Sequence, residues 1–159
     1  MKKALILFGL LVLFSCNQSH ESAQGQWIKG SEQEKIDAIE RNIGGFGTAM
    51  MEVGYRYQEL YWAGKDQNWE YAEYQLDDLR EAIENGLERR PNRAQSAEHF
   101  LNVTLPDMEE AIQKKDSSTF FVEFERLQTG CNNCHQMEEV PFIRVGVPGA
   151  RLSSIELMK

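Results

Sequence analysis

Apolar residues recur at positions 36, 39, 43, 46, 50, 53, 57 and 60 of this chain, in steps of three and four. That spacing fits one face of an α-helix and neither a strand nor a loop. The residues are Ile36, Ile39, Ile43, Phe46, Met50, Val53, Tyr57 and Leu60. Ser31-Glu32-Gln33-Glu34 opens the stripe with a capping box, Ser31 against Glu34. The stripe runs to about Ala63, where a polar, glycine-containing stretch to Asn68 ends it.

Three more stripes follow. Trp69, Ala72, Leu76, Leu79, Ile83 and Leu87 predict a second helix from Asn68 to Arg90, stopped by Pro91. Ala94, Ala97, Leu101, Leu105, Met108 and Ile112 predict a third over 93–115, with a kink or break at Pro106. A fourth starts near Ser117 or Ser118 and carries Phe120, Phe121, Phe124, Leu127, Cys131, Cys134 and His135. Nothing before residue 140 alternates like a strand. An all-α fold follows, and an antiparallel up-down-up-down four-helix bundle buries four such seams most simply. The last segment, 140–159, is different: Val140, Phe142, Ile143, Val145 and Val147 are interrupted by Pro141 and followed by Pro148, which predicts an extended tail packed on the bundle.

The fourth helix ends in Cys131-Asn132-Asn133-Cys134-His135. Cys-x-x-Cys-His is the attachment sequence of haem c, with the two cysteines as thioether donors and the histidine as iron ligand. At three and four residues apart, Cys131, Cys134 and His135 share one helical face, which is also the apolar one. A zinc site needs four nitrogen or sulfur ligands, and only His20 and His99 remain to complete it. A thioredoxin-like pair belongs at a strand-to-helix junction, which the pattern lacks.

A helical chain with this motif at the end of its last helix resembles the class II c-type cytochromes, the cytochrome c prime group and its low-spin relatives. The resemblance covers the arrangement of four helices, and its specific residues are Cys131, Cys134 and His135. It implies one covalent haem c inside a four-helix bundle. Class I cytochromes differ, because their motif lies near the N-terminus with the methionine ligand far downstream. Here 24 residues follow His135, and the methionines among them are Met137 and Met158. A second ligand is therefore sought upstream.

In an up-down bundle the first helix ends where the fourth begins. His135 lies 18 residues from Ser117, and 18 residues back from Gly64 is Phe46. That level reads Gly44-Gly45-Phe46-Gly47. Each glycine within a helix costs about 1 kcal/mol against alanine. Two explanations stand: a flat macrocycle pressed against the helix, or a break between two shorter helices. Met50 follows one turn later, about 6 Å by helix rise, and helical side chains lean back toward the N-terminus. It is the candidate second iron ligand, with Met51 in reserve and ordinary core packing as the alternative. The candidate haem contacts are Gly44, Gly45, Phe46, Gly47, Leu127, Phe142 and Arg144. Arg144 and Arg151 are placed to pair with propionates, against the plainer alternative of surface arginines. His99 falls about 200° from the seam and should face solvent, and Met108 lies toward the far end. The aromatic group Tyr55, Tyr57, Tyr61, Trp62, Trp69, Tyr71 and Tyr74 should pack the end of the bundle away from the haem.

The start of the chain, Met1 to Cys16, has Lys2 and Lys3, an apolar run from Ala4 to Phe14, and then Ser15-Cys16. This is the layout of an export signal over 1–15, and Leu13-Phe14-Ser15-Cys16 resembles the lipobox of bacterial lipoproteins, which implies lipid on Cys16. Residues 16–30 read as a flexible tether and 31–159 as the haem c domain. The three cysteines are then all assigned, none to a disulfide. Cleavage removes two lysines and takes the formal charge from −8 to −10, which argues against nucleic acid as a partner. The expected protein is a lipid-anchored, exported carrier of electrons between redox partner proteins, with His/Met ligation and no catalytic constellation. Two alternatives are kept: a five-coordinate binder of nitric oxide or carbon monoxide, and a haem-relay subunit of a respiratory assembly. Monomer and homodimer both stay open.

Overall fold

The computed structural model describes residues 23–155. The expected signal peptide, Cys16, His20 and Met158 lie outside the described residues. Every regular element among those described is helical: α1 (Glu32–Ile43), α2 (Phe46–Asp66), α3 (Trp69–Arg89), a 3-10 turn (Pro91–Arg93), α4 (Ala94–His99), a π turn (Phe100–Thr104), α5 (Leu105–Gln113) and α6 (Ser117–Met137). The chain divides into two compact units between Ile43 and Gly44.

The first unit contains α1, opened by the expected capping box. The Ser31 N–H donates to Glu34 Oε2 at 2.7 Å, and the Glu34 N–H donates to Ser31 Oγ at 3.3 Å. These bonds to Ser31 hold the Glu34 carboxyl below the usual carboxylate range. The helix expected to continue from Ser31 to Ala63 is divided. Gly44 has φ +81°, a left-handed conformation, and a Cβ there would lie 2.3 Å from Thr48 Oγ1. At Gly44 and Gly45, therefore, the break is the explanation that holds.

The second unit packs four helical rods together: α2, α3, the continuous run α4–π turn–α5, and α6. Side chains cap two of them as polar helix-start residues do. Asn68 Oδ1 accepts the Tyr71 N–H at 3.1 Å, and Asp116 Oδ1 accepts the Thr119 N–H at 2.8 Å. Leu60, Leu79, Leu105, Met108, Phe120 and Leu127 are wholly buried in the core. Arg56, sandwiched near the Tyr55 and Tyr74 rings, ties α2 to α3 through Asp78 at 2.7 Å.

Pro106 does not break the third rod. Its ring would clash with the carbonyl four residues back, and it has no N–H to give that carbonyl. The π turn just before it widens the helix and relieves both problems, with the Leu105 N–H bonded to the Phe100 carbonyl, five residues back. At one end of the unit Trp69 and Phe120 meet edge to face at 5.7 Å, as do Tyr61 and Phe121 at 5.7 Å. Tyr57, expected among those rings, instead sits deeper along α2.

Gly64 fixes the close approach at this aromatic end. A Cβ there would fall 2.1 Å from Phe120 Cε1, and Phe120 has no exposed surface into which to retreat. Overpacking of this kind costs about 1–3 kcal/mol, against about 1 kcal/mol that alanine gains over glycine in a helix. Gly64→Ala should therefore lower the urea midpoint of unfolding. A midpoint unchanged or raised would mean that Phe120 does not rest on this backbone.

Candidate functional site

The aromatic end is filled, and the other end is not. A cavity of 440 Å³ lies between α2, α6 and the segment after α6. From α6 it is bordered by Cys131, Cys134 and His135, and from α2 by Phe46, Gly47, Met50, Val53, Gly54 and Tyr57. Ile83 of α3, Ala97 of α4 and Phe100 of the π turn add apolar wall, and Val140, Ile143 and Val145 close it from the C-terminal segment. A largely apolar cavity of this size is in the range that holds a drug-sized or cofactor-sized ligand.

The cysteine–histidine face and the Phe46 level, matched by counting along two helices, thus border one space. Gly47 lines it, but Gly44 and Gly45 belong to the break, where a Cβ on Gly45 would meet the Arg90 guanidinium at 3.0 Å. Leu127 is buried in the core one turn from Cys131, off the cavity wall. Met50 is half-buried on the wall, whereas Met51 is 72% exposed and away from it. His99 is exposed, as its phase on the helix predicts, and Met108 is core.

Phe142 and Arg144 are exposed, and their neighbours Ile143 and Val145 line the cavity. The chain turns here, with the Ile143 N–H bonded to the Val140 carbonyl at 3.0 Å, and the turn carries Phe142 outward between Val140 and Ile143 on the wall. Arg151 is drawn away to Asp66 of α2. The cation on the cavity wall is Arg93. It pairs with Glu138, which the Ser96 hydroxyl also holds, and its guanidinium carbon lies 5.4 Å from the Phe46 ring centre. The apolar seam did not select Arg93, a charged residue at the start of the predicted third helix.

The thiols are unpaired and electrically neutral in character. Burial pushes the Cys131 thiol up to about 12, with nearby Cys134 adding to the effect. Burial also raises Cys134, partly offset by the Ser96 hydroxyl. Thiolates are what zinc binding and disulfide exchange require, and this wall disfavours them. Among the described residues no group of three or more His, Cys, Asp or Glu side chains is arranged to hold a metal ion. A neutral thioether suits the same apolar wall at no charge cost.

His135 is oriented from behind. Its Nδ1 lies 2.7 Å from the Ile143 carbonyl oxygen. A carbonyl can only accept, so Nδ1 is the donor here, and in the neutral imidazole Nε2 is then the nitrogen with the free lone pair, the form that ligates a metal. Two glycines complete the fit. Gly47 and Gly54 both lie within α2 and border the cavity, and a Cβ on either would meet nothing within 4 Å. They leave a flat stretch of helix backbone beside open space, where a planar group can lie close. Gly54 was missed in the sequence because it sits beside the seam rather than on it; a second mid-helix glycine seven residues from Gly47 was the available signal.

Set beside models of known protein families, curated proteins and solved structures, the chain matches none.

Glycine next to empty space should behave oppositely to Gly64. Gly54→Ala should raise stability by about 0.5–1 kcal/mol, the ordinary gain of alanine within a helix. Urea unfolding of the two variants side by side checks this, and a loss at position 54 would mean that the wall is already occupied by protein.

Proposed function

We propose that this chain is a monohaem cytochrome of the class II kind: an exported, lipid-anchored electron carrier in which Cys131 and Cys134 hold haem c and His135 and Met50 ligate the iron. The four rods are read as an antiparallel up-down-up-down bundle. Their tight connections support this, such as Gln67–Asn68 between α2 and α3. Residues 140–159 are read as an extended tail over the haem end.

The observation that carries the proposal is the cavity itself. Both thiols of the attachment motif, its histidine with Nε2 left free, and Met50 border one apolar space, flanked by two unfilled helical glycines. When bound, haem c supplies a one-electron iron couple. The chain's own residues do the rest. His135 offers nitrogen and Met50 offers sulfur. Val53, Ile83 and Phe100 would give the group apolar walls, and Arg93, held by Glu138, would be the cation beside it. The compartment is read from the resemblance of residues 13–16 to a lipobox. Lipid on Cys16 is the proposed attachment; among the described residues no helix is long and apolar enough to cross a membrane. Redox proteins are the expected partners, and the net negative charge, which serves solubility first, argues against nucleic acid.

The deciding experiment is absorption spectroscopy of the protein made in a host that attaches haem c, with and without carbon monoxide. The expected result is a low-spin spectrum with a methionine-to-iron band, indifferent to carbon monoxide, which turns high-spin and reactive to it in Met50→Ala. A wild-type spectrum already high-spin and shifted by carbon monoxide would overturn Met50 as ligand and leave gas binding as the function. No covalent haem at all would overturn the cytochrome itself.

A further inference from the structure

We propose that Asn132, a middle residue of the attachment motif, is a positioning residue that sets the tautomer and donor strength of His135 through the backbone of residues 143–145; this rests on His135 being the iron ligand. The Asn132 side-chain amide pairs both ways with one residue of the tail. Its Nδ2 donates to the Val145 carbonyl at 3.0 Å, and the Val145 N–H donates to its Oδ1 at 2.9 Å. Two reciprocal bonds fix a peptide in orientation as well as position, as facing residues of two strands do. Gln128, one turn earlier on α6, donates to the same Val145 carbonyl at 3.1 Å, and the Tyr57 hydroxyl holds the Gly146 carbonyl at 3.1 Å.

The segment is also tied at its other end. The Val140 N–H donates to the His135 carbonyl at 2.9 Å, and the Ile143 N–H to the Val140 carbonyl at 3.0 Å. Between these anchors the Ile143 carbonyl is presented to His135 Nδ1 at 2.7 Å. The Ile143 side chain is half exposed, so packing of that side chain alone does not hold the carbonyl in place. Asparagine is a poor residue for a helix interior. Its bonds to Val145 give a reason for it at a position where the motif requires no particular residue. Such a carbonyl behind a ligating imidazole fixes which nitrogen is bare and makes the ring a stronger donor. A stronger donor favours ferric iron, so loosening the clamp should raise the reduction potential.

The test uses full-length protein with Asn132→Leu, Asn132→Asp and, as control, the exposed neighbour Asn133→Leu. In haem-free protein with His135 neutral, nitrogen-15 NMR should find the Nδ1–H tautomer in the wild type and the control. Asn132→Leu should give a mixture, and Asn132→Asp, which keeps the acceptor for the Val145 N–H, something between. If Asn132→Leu does not fold, the aspartate variant carries the comparison. In haem-loaded protein Asn132→Leu should shift the ferric-to-ferrous equilibrium about tenfold, which is 59 mV for one electron. A lower melting temperature with the tautomer and potential unchanged would make Asn132 a structural residue only and overturn the proposal. A shifted tautomer in a protein that never acquires haem would support the clamp while removing the cytochrome reading.

Discussion

The contact on which the architecture turns is the Phe120 ring lying where Gly64 has no side chain. It lets α6 and α2 approach at one end, and around it the large rings of Trp69, Tyr61 and Phe124 close the core. The same two helices then run to an end where their facing positions are Gly47 and Gly54 on one side and small, polar-headed Cys131 and Cys134 on the other. Four helices that share one core cannot be filled at one end and empty at the other without a reason. Close packing is the norm for protein interiors, and here an open-sided apolar cavity of 440 Å³ interrupts it. The aromatic end is packed ring against ring, and the cavity end is not.

Polar interactions are distributed in the same sense. Where charge comes near the cavity it is compensated: Arg93 meets Glu138, and Ser96 completes the carboxylate. The thiols are held neutral by burial, and Tyr57 is kept protonated by burial while it donates to the tail. An interior wall of neutral groups has a low effective dielectric, in which any change of charge at the centre is felt strongly. The groups placed to answer such a change are those touching the His135 ring and the Arg93–Glu138 pair.

How much of this could be read from sequence differs by element. The helices on α2, α3 and α6 were legible because burial enforces a period, and Cys131, Cys134 and His135 stood out by their spacing and border one cavity. Matching Phe46 to His135 by counting worked because α2 and α6 are both continuous over the counted stretch. The start of the first stripe was misread: Ile36, Ile39 and Ile43 keep the phase of the later residues, but Gly44 turns the chain out of the helix. The tail has Phe142 and Arg144 exposed while Val140, Ile143 and Val145 line the cavity. Its apolar positions include both parities, and the side that faces inward is selected by side-chain bonds from Asn132 and Gln128 to backbone atoms, which leave no trace in hydropathy.

The third rod shows the same limit from the other side. Its sequence pattern names Ala97, Leu101 and Leu105, in steps of four, as one face. The buried set is instead Ala97, Phe100 and Leu105, with Leu101 only partly covered. A step of three followed by a step of five is the signature of the π turn, whose hydrogen bond spans five residues from Phe100 to Leu105. Pro106 makes a wider turn necessary just before it, and the wider turn rotates everything upstream relative to α5. Rotated in this way, Ala97 and Phe100 border the cavity while Leu105 and Met108 remain in the core. Phe100 also closes over Gly130, the residue before Cys131, where a Cβ would meet its ring at 2.9 Å. One proline thus lets a single rod serve two environments, packed core below the turn and ligand wall above it, which a straight helix with the same residues would not do.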